Sequence, residues 1–137
     1  MTSPLTRLLP ALLALAATPA LSDTYACTVD AFTTFSTDDT RFIEANHRKT
    51  YNLTITPKTI TLTMHSPDFE GGTSTYAVTR RDLLTTYAQR TDRQSLDILA
   101  LPPRPAAQIE RKGAFNATLT VLSNFYTNSW LLTCTTA

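Results

Sequence analysis

The sequence predicts a mainly β domain: a small single-domain antiparallel β-barrel or β-sandwich, its first and last strands joined by a disulfide, with one or two short helices. Three observations predict it. Threonine alternates with apolar residues along several short runs, the pattern of strands with one buried face. Two cysteines, Cys27 and Cys134, stand in the first and last of these runs. The chain opens on a leader-like segment that would deliver both thiols to an oxidising compartment, where such pairs become disulfides.

Tyr25-Ala26-Cys27-Thr28-Val29 is the first strand-like run. Residues 38–49 read as a short helix, with Phe42, Ile43 and Asn46 on one turn capped by Asp38 or Thr37, or as a ragged edge strand. Tyr51, Leu53 and Ile55 alternate with Asn52 and Thr54, Pro57-Lys58 interrupts, and Ile60, Leu62 and Met64 resume the alternation. Together they form a predicted β-hairpin. After a loop over residues 65–72, Ser74, Tyr76 and Val78 share one face of a strand. Asp82 to Ala88 breaks the period of two, and Leu83, Leu84, Tyr87 and Ala88 fit a short helix capped by Asp82. Residues 95–101 resume as strand. Pro102-Pro103-Arg104-Pro105 reads as an extended surface connection, since proline cannot serve a central strand. Phe115, Ala117, Leu119 and Val121 alternate with Asn116, Thr118 and Thr120, residues 123–129 are turn-like, and Trp130-Leu131-Leu132 leads to Cys134. Closing first strand on last has a physical motive, because closure removes exposed edges. The lack of regular crossover helices argues against parallel βαβ architecture.

The leader is residues 1–22. Arg7 is its positive start, Leu8 to Ala17 form an apolar run of about ten residues, and Ala20-Leu21-Ser22 offers small residues at a cleavage site before Asp23. The run is too short to span a bilayer, which takes roughly 20 apolar residues, so it reads as a cleaved secretory signal. The expected product is residues 23–137, one exported domain of the periplasm or extracellular space. Of the 12 Lys and Arg only Arg7 falls in the leader, so the domain balances its bases against 11 Asp and Glu. Near neutrality argues against a general nucleic-acid binder, whose affinity rests on excess positive charge. The bases nevertheless concentrate late in the chain. Arg80, Arg81, Arg111 and Lys112, with Arg90, Arg93 and Arg104 beside them in sequence, offer a candidate anion-binding face.

Chemistry-bearing motifs are few. His65, Asp68 and Glu70 cluster in one loop and are the candidates for a metal-dependent hydrolytic site, although their spacing matches no ligand motif. His47 stands in a polar stretch that reads as surface. No Gly-x-Ser-x-Gly elbow or glycine-rich phosphate loop occurs, and the only glycines are Gly71, Gly72 and Gly113. No catalytic residue, metal or cofactor is therefore assigned.

Tyr25-Ala26-Cys27, Lys112-Gly113 and Cys134 resemble the opening Tyr-x-Cys strand, the Lys-Gly pair and the C-terminal cysteine of the periplasmic inhibitors of C-type lysozyme. That resemblance implies a small β-barrel and a protein inhibitor. Where the family carries a Ser-Gly-x-x-Tyr loop that enters the enzyme cleft, this chain has Gly71-Gly72-Thr73-Ser74-Thr75-Tyr76 instead, so no residue inherits the inhibitory role. The expectation from sequence is an exported, non-catalytic binding or envelope-associated module. Its partner would be an envelope protein, an anionic envelope polymer, or a small apolar ligand in a barrel mouth.

Overall fold

The computed structural model describes residues 22–137; apart from Ser22, the expected leader lies outside the described residues. Eight antiparallel strands follow one another around a closed barrel. They are β1 (Asp23–Thr34), β2 (Thr50–Ile55), β3 (Thr59–His65), β4 (Gly72–Arg81), β5 (Thr86–Arg90), β6 (Leu96–Leu101), β7 (Phe115–Leu122) and β8 (Thr127–Thr136). Helix α1 (Thr40–His47) joins β1 to β2, and α2 (Pro105–Lys112) joins β6 to β7. The alternative of a sandwich is thereby resolved in favour of a barrel.

Each strand delivers alternate side chains inward, because successive residues point to opposite faces of a sheet. Leu53, Ile60, Leu99 and Leu132 are wholly buried in the resulting core. Tyr25 and Phe115 meet there edge to face, their ring centres 4.9 Å apart. Threonines take much of the outer wall and pair across strands, as Thr63 with Thr73 at 3.0 Å and Thr120 with Ser129 at 2.9 Å.

The seam between β1 and β8 closes the barrel, and Cys27 sits directly opposite Cys134 in its register. The two form a disulfide, with Cα atoms 4.0 Å apart. Two bulges alter the inside-outside parity. One falls between Val29 and Ala31 in β1 and brings Phe32 inward. The other falls between Val78 and Arg80 in β4, so that Arg80 pairs with the outward Tyr87 and Arg81 with the buried Thr86.

Three local expectations are corrected. Residues 82–88 are not a helix. The Asp82 carboxylate accepts from the Leu84 and Thr85 amides, both at 2.9 Å, making a tight turn, after which Thr86 and Ala88 continue as buried positions of β5. The proline run is extended only through Arg104, because Pro105 opens α2 and Gly113 ends it with φ +76°. The turn before the last strand is shorter than residues 123–129, since β8 begins at Thr127. Residues 38–49 do contain a helix, but Asp39 caps it, accepting from the Arg41 amide at 2.9 Å.

Candidate functional site

The two ends of the barrel differ. At the end carrying α1, the inward residues do not fill the lumen, and a cavity of about 360 Å³ is lined by residues of every strand from β2 to β8. Tyr51, Tyr76 and Trp130 supply its aromatic lining, Lys49, Arg90 and Arg93 its cations, and Glu70 and the buried Asp97 its acids.

Lys49 immediately precedes β2, in the two-residue connection from α1. Its Nζ lies 4.5 Å from the centre of the Phe69 ring and 4.8 Å from that of Trp130. Among the described residues no carboxylate reaches it within salt-bridge distance. Burial without an anionic partner lowers its pKa to about 8. At neutral pH it therefore remains mostly protonated, a cation held by ring faces and open to an anion.

Further donors line the same cavity. The indole Nε1 of Trp130 is buried with no hydrogen-bond partner among the described residues. Burial, followed by the nearby Asp97 carboxylate, raises the Tyr76 hydroxyl to about 12. Burial, with the neighbouring Tyr76 next, raises that of Tyr51 further. Both phenols thus stay protonated and able to donate. Asp97 accepts a hydrogen bond from Ser95 Oγ at 2.7 Å. Arg90 is turned aside by Asp92 and also donates to Ser74 Oγ. Of the three partners considered from sequence, a small apolar ligand in the barrel mouth suits this charged lining poorly.

The opposite end carries α2 and the turn between β4 and β5. A cleft of about 610 Å³ runs between them, lined by Arg81, Arg104 and Arg111 together with Leu83, Leu84 and Pro103. The basic residues singled out in the sequence are thus divided by the fold. Arg81 and Arg111 share this cleft, joined by Arg104, and Arg81 Nε donates to Thr86 Oγ1 at 3.0 Å. Arg80 faces the outer wall, pairs with Asp82 at 2.8 Å and stacks over Tyr87. Lys112 is exposed in the last turn of α2. Arg90 and Arg93 line the cavity at the other end.

The loop cluster is also dispersed. Asp68 is engaged by Arg48 at 2.8 Å, and that guanidinium holds its carboxyl below the usual carboxylate range. His65 Nε2 lies 3.3 Å from Asn52 Nδ2 on a separate outer groove, while Glu70 lines the mouth cavity. His47 is exposed at the end of α1. The segment replacing the Ser-Gly loop of the lysozyme inhibitors is the start of β4, with Tyr76 turned into the core. Sequence reasoning missed Lys49, Tyr51, Tyr76 and Trp130 as a site; the available signal was large aromatics on the inward faces of β2, β4 and β8, with a lysine just before β2.

Compared with models of protein families, with curated proteins and with solved structures, the chain gives no significant match.

Proposed function

We propose that this chain is an exported, non-catalytic binding module of the cell envelope, and that the mouth cavity takes a small ligand bearing a carboxylate or phosphate. The observation carrying the reading is Lys49, a desolvated cation with no carboxylate partner among the described residues, facing a cavity that also holds the unpartnered indole of Trp130. A buried donor without an acceptor is costly, and a ligand oxygen would satisfy it. The cavity of about 360 Å³ lies at the small end of ligand sites.

Two features favour binding over the other readings. Hydrolysis at His65, Asp68 and Glu70 needs those groups together, and they face three different surroundings. An inhibitor of the lysozyme-inhibitor type needs a protruding loop where β4 runs instead.

Native mass spectrometry of the protein recovered from the periplasm tests the proposal. The expected result is a one-to-one small-molecule adduct that is retained through buffer exchange and lost in Lys49→Met. The reading is overturned if no adduct appears and a panel of carboxylates and phosphates leaves the fluorescence of Trp130 unchanged.

A further inference from the structure

We infer that the α2 end of the barrel docks onto an anionic membrane surface, inserting Leu83 and Leu84 among the acyl chains. This inference is independent of what the mouth cavity holds.

The turn between β4 and β5 is built to hold its shape. Asp82 donates its amide to the Thr85 carbonyl at 3.0 Å, and its carboxylate accepts from the Leu84 and Thr85 amides and from Arg80. A fixed turn has no need to leave apolar side chains in water. Yet Leu83 is 94% exposed and Leu84 84% exposed. Adjacent leucines at a rigid tip are an interaction feature rather than packing.

Charge identifies the partner. The α2 end gathers six bases, Lys58, Arg80, Arg81, Arg104, Arg111 and Lys112, against three acids, Asp23, Asp82 and Glu110. The α1 end has the opposite balance, seven acids to five bases with Asp30 midway along β1, so the neutral domain is polarised along its barrel axis. An anionic surface would orient the domain with the leucines foremost.

Shape narrows the choice further. Among the described residues, Leu83 and Leu84 are the only large hydrophobics strongly exposed at this end, too few for the apolar centre of a stable protein interface. The closed barrel leaves no free strand edge for peptide addition. An anionic bilayer needs only a small apolar wedge with cations at headgroup level, the combination that anchors peripheral proteins.

Cosedimentation with vesicles tests the inference. The exported protein, its processed mass verified, is mixed with vesicles of phosphatidylcholine alone or of phosphatidylcholine with phosphatidylglycerol. Binding is expected to be at least about tenfold stronger to the anionic vesicles and to weaken as salt is raised. Leu83→Asp/Leu84→Asp should lower it by about tenfold or more, and Arg104→Glu/Arg111→Glu by a similar factor, with near-UV circular dichroism unchanged. Equal affinity for the two vesicle types, or full binding by the leucine variant, overturns the inference. So does a dimer in sedimentation velocity that the leucine variant dissociates, which would assign the tip to a second copy of the chain.

Discussion

The ammonium of Lys49 lies 4.8 Å from the centre of the Trp130 ring, and Trp130 is the single tryptophan of the chain. The fluorophore therefore reports the charge beside it. Burial lowers Lys49 from its ordinary value near 10.5 to about 8. Between those values the unfolded state holds the extra proton, so folding stability rises with pH from about 8. Above about pH 10 the trend reverses. Tyr51 and Tyr76 are raised by burial, so the folded state keeps tyrosyl protons that the unfolded state has lost. Urea denaturation across this range should show a stability maximum near pH 10 and a Trp130 emission change with a midpoint near pH 8. Lys49→Met should remove both the rising limb and the emission change, while leaving the fall above pH 10.

The disulfide gives a second prediction. Cys27 and Cys134 are 107 residues apart in sequence and 1% and 0% exposed. Both thiols should resist alkylation until the protein is reduced and denatured. Cys27→Ala/Cys134→Ala should lose about 3–5 kcal/mol, as expected for opening a loop of that length. A loss under about 1 kcal/mol would show that the hydrogen-bonded β1–β8 seam closes the barrel without it.

How much of this was legible in the sequence follows from how local each signal is. The β2–β3 hairpin and β7 were read correctly because Tyr51 to Met64 and Phe115 to Val121 alternate with polar residues inside single strands. Leu83 and Leu84 misled, since adjacent leucines suggest burial on a helix, and here they crown a turn. Helix α2 carried its own signals, Pro105 at the first turn and Gly113 beyond the last, but three prolines in four residues masked them. The mouth cavity was illegible because it exists only once closure brings Lys49, Tyr76 and Trp130 together from distant strands.

Ser95 and Asp97 supply a third prediction. Asp97 is 2% exposed, and the Ser95 hydroxyl donates to its carboxylate from within the same buried corner. Removing the hydroxyl leaves a buried acceptor short of a donor. Ser95→Ala should cost about 1.5–3 kcal/mol, the range for losing a hydrogen bond to a charged group. Ser95→Thr should recover most of that loss, which separates the hydroxyl from the effect of altered packing.

Metal addition tests the dispersed loop cluster. Asp68 is already held by Arg48, and His65 faces Asn52, so divalent ions have no three-residue site to complete there. Zinc, manganese or calcium at millimolar concentration, or removal of ions by chelator, should leave the melting temperature unchanged, and His65→Ala should behave like the parent protein. A metal-dependent rise in melting temperature that His65→Ala abolishes would restore the hydrolase reading.

The two neighbouring glycines where the chain enters β4 should respond in opposite ways to the same substitution. A Cβ on Gly71 would lie 2.8 Å from the Met64 carbonyl oxygen, which is backbone and cannot swing aside. Gly72 has no atom within 4 Å of the same position, and neither residue has positive φ. Gly71→Ala must therefore push β3 and the incoming loop apart, at a cost of about 1–3 kcal/mol for overpacking. Gly72→Ala should be neutral or stabilise by about 0.4–1 kcal/mol, because it restricts the unfolded chain and meets nothing when folded. Met64, Gly71 and Gly72 all line the mouth cavity, so Gly71→Ala, which must displace the Met64 backbone, should weaken ligand binding there more than Gly72→Ala, which displaces no atom. Equilibrium urea unfolding and ligand titration on the two variants check both halves. Equal stability of the two would show that the loop relaxes freely, and that the wall of the cavity beside Met64 is softer than its close backbone contact implies.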